Sequence, residues 1–200
     1  MKAKSAVRLV LLAAVLTVAG LTATFFATSN QPLIGVGGED GELGGEFTLT
    51  SVNGPVSLSD FKGKTVVVYF GFVNCEKVCP ASMGVLQNVM QKLEADELEQ
   101  VQALLVSIDP SRDTQESLQE FTQKYHANIM GLTGSQEQID QVARDYGAHF
   151  EQRPSETDES EYGFHHSSRY YVINAEGQLV DAMRHSTTSN ELVARIRTII

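Results

Sequence analysis

Cys75 and Cys79 are the only cysteines in the chain and sit in "VVVYFGFVNCEKVCPASM", with three residues between them. Two thiols so placed can be a disulfide staple, a redox pair or two legs of a metal site. A staple is the weakest of these. At 200 residues and 42% hydrophobic content the chain has enough apolar surface for its own core, and staples serve mainly much smaller domains. Exchange and ligation both need the thiolate, and an ordinary thiol with a pKa of about 8.5 is only a few per cent ionised at neutral pH. Cysteines at the start of a helix that follows an apolar strand gain from the positive helix end. Lys77 acts in the same direction and Glu76 against it.

Spacing separates the two remaining uses. Thiol–disulfide exchange favours C-x-x-C; the additional residue here still permits a disulfide but also lets two sulfurs splay around an ion. A tetrahedral zinc site wants four protein ligands, and there is no second cysteine pair. Two thiolates and one imidazole suit copper better, because Cu(I) selects thiolate and accepts low coordination. Five histidines are available. His126, His149 and His185 read as surface or capping side chains. His165 and His166, in "GFHHSSRYYVIN", lie between an acidic segment and a predicted strand, where a loop would deliver a ligand to a rigid cysteine turn. Met83 and Met90 share helical spacing with Leu86 and Leu93 and read as core, not as thioether ligands.

The elements that must hold these residues follow from hydrophobic period. "EFTLTSVNGPVSLSDF" alternates on both sides of Asn53-Gly54 and predicts a hairpin, with strands at 47–50 and 56–58. "KTVVVYFG" is apolar on both faces, as in a central strand. Helices are expected over 80–94, with Pro80 in the first turn, over 114–125 with an Asp113 or Thr114 cap, over 135–146 with a Ser135/Gln138 capping box, and over 190–199. Strands are expected at 102–108 and 129–132, and a hairpin pairs 169–173 with 178–183 around "NAEG". Residues 153–164, "RPSETDESEYGF", predict a long exposed loop. Strands alternating with helices and closing on a hairpin and helix describe an α/β, thioredoxin-like domain with an N-terminal β-hairpin.

Ahead of that domain, residues 1–30 predict a signal-anchor or transmembrane segment. Lys2, Lys4 and Arg8 precede nineteen uncharged residues from Leu9 to Ala27, longer than the apolar run of about 7–15 in a cleaved signal and close to the ~20 that span a bilayer. Basic residues stay on the cytoplasmic side, so the expectation is a single-pass protein of a bacterial inner membrane with its soluble domain in the periplasm. Residues 31–45, rich in glycine and acid, form a tether, and 46–200 the folded domain. The whole chain has a net charge of −10; without the three basic residues of the head, 12 Lys+Arg face 25 Asp+Glu, about −13. That balance excludes nucleic acid as a partner and serves chiefly solubility.

From about Gly45 to the C-terminus the sequence resembles the Sco/SenC proteins, copper-binding assembly factors of cytochrome c oxidase. The likeness is carried, in order, by "FTLT", "VSLSDFKGK", "YFGF", the C-x-x-x-C-P of Cys75–Pro80, "VSIDPSRDT", "GLTGSQEQI" and the His-Ser of His166-Ser167. It implies a membrane-tethered thioredoxin fold in which Cys75, Cys79 and His166 bind one copper, Cu(I) or Cu(II). The implied role is a metallochaperone for the dinuclear copper site of oxidase subunit II, served by other periplasmic copper chaperones or thiol reductants. The alternative is a thiol–disulfide oxidoreductase that keeps the subunit II cysteines reduced, with Cys75 and Cys79 as the redox-active pair. A peroxidase is disfavoured because "FVNCEKVC" has no hydroxyl just before Cys75. "DPSRDT" is expected to serve helix capping and loop geometry. The chain departs from the family pattern at Asn74, at Glu76-Lys77 and at His165, which stands where many members have an aspartate and is a rival ligand; motif position and the following Ser167 favour His166.

Overall fold

The computed structural model describes residues 43–154 and 162–200. The expected anchor and most of the expected tether lie outside them, and no helix among the described residues is long and apolar enough to cross a membrane. The fold is built on β3 (Thr65–Gly71), every residue of which is buried. Its β-branched and aromatic side chains suit a strand covered on both faces. On one side β3 pairs in parallel with β4 (Val101–Ser107), which pairs in parallel with β5 (Ile129–Leu132). On the other it runs antiparallel to β8 (Arg169–Ile173), which pairs with β9 (Leu179–Arg184). The five-stranded order is β5-β4-β3-β8-β9.

Helices α1 (Val78–Lys92), α3 (Gln115–Gln123), α4 (Gln136–Asp145) and α5 (Ser189–Ile196) accompany this sheet, together with a short α2 (Ala95–Glu99) that the sequence reading omitted. The alternation of β3 shows how both faces are filled. Tyr69 points toward α1, where Ser82 Oγ donates to its hydroxyl at 3.1 Å, and its ring lies 5.5 Å from that of Tyr170. Phe70, one residue on, meets Tyr146 at the end of α4 and Tyr171, with centroids 6.2 and 5.5 Å away. Burying each such aromatic contributes about 1.5–3 kcal/mol. Met83, Leu86 and Met90 are fully buried along α1, the expected core stripe. Pro80 stands in the first turn of α1, where it costs no hydrogen bond. The Ser135/Gln138 box caps α4, and Thr188 with Glu191 caps α5 in the same way.

The N-terminal hairpin forms from β1 (Thr48–Ser51) and β2 (Gly54–Ser57), with Gly54 at φ +110° in the turn. A reciprocal pair of backbone hydrogen bonds between Thr50 and Thr133 attaches it to the domain at 2.7 and 2.9 Å.

One expectation is corrected. Residues 153–164 are not all loop, because β6 (Phe150–Pro154) and β7 (Tyr162–His166) form a two-stranded antiparallel arm. Register pairs Phe150 with His166, Glu151 with His165 and Gln152 with Phe164. Polar and charged residues concealed the strands, since an arm with one solvated face offers little hydrophobic periodicity.

Candidate metal centre

The cysteine turn spans the gap between the end of β3 and the first turn of α1. Gly71, the last residue of β3, permits the close approach: a Cβ there would lie 2.9 Å from Cys79 Sγ and 3.0 Å from a ring carbon of Tyr69. Helix α1 begins at Val78, two residues earlier than Pro80, so Cys79 is inside its first turn. Cys79 is fully buried, whereas Cys75 is half-buried on the turn itself. Both thiols are free, and the backbone N–H of Cys79 donates to Cys75 Sγ at 3.4 Å. Val78, between them, is exposed, so the turn opens to solvent on one side.

The pair is strongly asymmetric. Cys75 is held well below the ordinary thiol range, first by a hydrogen bond from the Cys79 thiol; burial opposes this, while the His166 ring and the backbone N–H groups of Cys79 and Lys77 add to it. Cys79 is pushed up, first by sharing its proton with Cys75, then by burial and by the Cys75 charge. Cys75 is therefore the thiolate of the reduced pair and Cys79 the thiol that supports it.

His166 arrives from the far end of the chain, on the last residue of β7. The ligand atoms of Cys75, Cys79 and His166 all lie within 4.8 Å of one another. The His166 ring stands edge-on to Phe72 and Tyr69, with centroids 6.2 and 6.4 Å away. Phe164, two residues back on the same face of β7, packs on Phe72 at 5.3 Å. These rings give the site an apolar wall, which strengthens the electrostatic interactions of a bound cation. Two soft sulfurs and one imidazole at this separation fit a thiophilic ion of low coordination number, and among the described residues no fourth protein ligand of a structural zinc site joins them.

The sequence between residues 36 and 200 matches the model of the family described as SCO1/SenC. The chain belongs to the SCO1/SenC family. Among curated members, the mitochondrial protein SCO2 homolog of Mus musculus is 34% identical over 155 residues, 76% of this chain and 60% of that protein's length. The chain thus spans about three-fifths of that relative. Among solved members, Bradyrhizobium japonicum ScoI with copper bound superposes with a TM-score of 0.71 at 27% identity, covering 79% of this chain and 99% of that one. BsSco, a member of the Sco family of cytochrome c oxidase assembly proteins in which a disulfide switch has been identified, superposes with a TM-score of 0.64 at 25% identity, covering 79% and 93%.

Within this SCO1/SenC chain the other histidines fall outside the cluster. His165 alternates to the exposed face of β7. His126 accepts the Asn128 N–H at Nδ1, a local cap at 3.1 Å. His149 uses its backbone to pair with Ser167, whose hydroxyl accepts the His149 N–H at 2.8 Å. Ser167 is consequently a clasp between strands. The hydroxyl near His166 belongs to Ser168, with Oγ 3.4 Å from Nδ1.

The "DPSRDT" segment does more than cap a helix. Thr114 is the cap of α3, accepting the Ser117 N–H at 3.1 Å. Asp113 is buried, and its carboxylate accepts the Val73 N–H at 3.1 Å and the Ser107 hydroxyl at 2.7 Å. It braces the cysteine turn from the neighbouring loop. Burial is the main cause that raises its pKa. Two acids directly after an apolar strand were the sequence signal for such a brace; the partner, a backbone N–H 40 residues earlier, carries no signal at all.

Proposed function

We propose that the protein is a copper metallochaperone that holds one copper ion through Cys75, Cys79 and His166 and delivers it to the dinuclear copper site of cytochrome c oxidase subunit II. The observation that carries this reading is the convergence of two sulfurs and one imidazole from separate elements within 4.8 Å. Family membership and the copper-bound relative point to the same metal. Copper here is cargo. Three ligands with an exposed flank leave room for a partner's cysteines or histidines to join before these ligands let go, so transfer can proceed by ligand exchange. Loading requires both thiols reduced, because a Cys75–Cys79 disulfide removes two of three donors. Other periplasmic copper chaperones or thiol reductants are the natural suppliers. We place the protein at a bacterial inner membrane, held by residues 1–30, with its domain in the periplasm.

The test is a copper titration of the reduced protein with sulfur-to-copper charge transfer as the signal. One copper per chain is expected. His166→Ala should lower affinity at least tenfold, as loss of one of three ligands demands, and His126→Ala should leave it unchanged. Equal affinity in the two variants would remove His166 from the ligand set.

A second reading rests on the asymmetry of the thiols. A Cys75 thiolate beside a Cys79 thiol is the arrangement of a disulfide reductant. Cys75 would attack a disulfide of subunit II and release one partner thiolate, and Cys79 would then displace the second, leaving Cys75–Cys79 oxidised and the partner reduced. If His166→Ala sustained oxidase assembly while either Cys→Ser abolished it, this reading would replace the first.

A further inference from the structure

His166 is four residues beyond Tyr162 on β7, and strand alternation puts Tyr162, Phe164 and His166 on one face. Aromatic contacts run along that face: Tyr162 to Phe164 at 5.8 Å, Phe164 to Phe72 at 5.3 Å, and Phe72 to His166 at 6.2 Å. Among the described residues strand β7 hydrogen-bonds only to β6 within its sheet, and an isolated two-stranded hairpin is marginal in water. Something else must fix the arm where the histidine meets the thiols.

The start of β7 is gripped from the loop after β4. The Tyr162 hydroxyl donates to Asp109 Oδ1 at 2.9 Å and lies 2.8 Å from Ser111 Oγ. The guanidinium of Arg112 lies over the Tyr162 ring at 3.7 Å, and its Nη1 donates to the Tyr162 carbonyl at 3.1 Å. Arg112 also pairs with Asp109, whose carboxylate is buried. The same loop reaches the other half of the site. The Asp109 N–H donates to Ser107 Oγ, the Ser107 hydroxyl donates to Asp113, and Asp113 accepts the Val73 N–H on the cysteine turn. One hydrogen-bonded chain thus references the histidine strand and the cysteine turn to a common loop.

We propose that Tyr162, held by Asp109 and Arg112, is a positioning residue that fixes β7 so that His166 reaches Cys75 and Cys79. The proposal rests on the three-ligand reading of the site. Its test uses the full chain and Tyr162→Phe, which removes one hydroxyl and keeps the ring under Arg112 and the backbone carbonyl. Copper affinity should fall roughly tenfold or more, the effect of one hydrogen bond to a charged acceptor, with a fall of only a few degrees in the thermal midpoint. In a His166→Ala background the same change should cost nothing further, because a residue that acts only through the imidazole has nothing left to position. An equal loss in both backgrounds, or no loss in either, would overturn the proposal. Hydrogen exchange of the β7 amides in the reduced, copper-free protein provides an arm independent of metal: Tyr162→Phe should accelerate it several-fold, and unchanged exchange would overturn the proposal too. Should the wild type bind copper without regard to His166, the ligand reading fails in the titration, while the exchange arm still decides whether Tyr162 fixes the strand.

Discussion

At the scale of the residue, the chemistry is concentrated in two sulfurs that are chemically unlike. Cys75 is partly exposed on the turn and accepts hydrogen bonds; Cys79 is buried in the helix and donates one. This asymmetry serves either function, since the same thiolate that attacks a disulfide is the one first ready to receive a soft cation. The sign of the shift gives a direct expectation. A thiol with its pKa held low remains a thiolate as the pH falls, so alkylation of Cys75 in the reduced, metal-free protein should change little between pH 8 and pH 6. An ordinary thiol would lose nearly tenfold per unit over most of that range. Mass mapping of the iodoacetamide adduct should place it on Cys75, with Cys79 modified only after unfolding.

At the scale of the element, the site exists because three elements are clamped near one point: the turn after β3, the first turn of α1 and the end of β7. The seating of α1 on β3 is decided at Gly71, where any side chain would run into Cys79 Sγ at 2.9 Å. Gly71→Ala should cost about 1–3 kcal/mol, the usual penalty of overpacking, read as a lower thermal midpoint, together with weaker copper binding because Cys79 must shift. The same substitution at Gly84, where a Cβ meets nothing within 4 Å, is the control and should stabilise α1 slightly. The arm carrying His166 is seated differently, by aromatic packing on Phe72 and by the Asp109–Arg112 grip on Tyr162. The core therefore sets the positions of the sulfurs, while a lighter attachment sets that of the imidazole.

At the scale of the whole molecule, the proposed location rests on the acidic balance and the N-terminal charge pattern. Under that proposal the nineteen uncharged residues behind the basic head would anchor the chain, and the acidic remainder would favour solubility of the exported domain. The expected outcome in a bacterial host is that the protein stays with the membrane through alkaline carbonate extraction and that protease added to spheroplasts digests the domain. Release by carbonate would mean the segment is cleaved or does not span.

The sequence by itself determined the chemistry and the frame. The type and spacing of Cys75 and Cys79, the apolar run of β3, the helical stripe of α1 and the ordered motifs through His166 are local or periodic features, and such features survive in one dimension. The positions of the core strands and the caps Thr114 and Ser135 were legible for the same reason. The motifs favoured His166 over His165, but only the tertiary structure decided that its ring meets the sulfurs, because facing is set by the register of β6 against β7, and a slip of one residue would present His165 instead. It also decided that Asp113 braces the cysteine turn, that Ser168 and not Ser167 neighbours His166, and that the loop after β4 holds Tyr162. Those are contacts between residues up to 53 positions apart in sequence, made by polar groups whose partners are fixed by the packing of the strands that carry them.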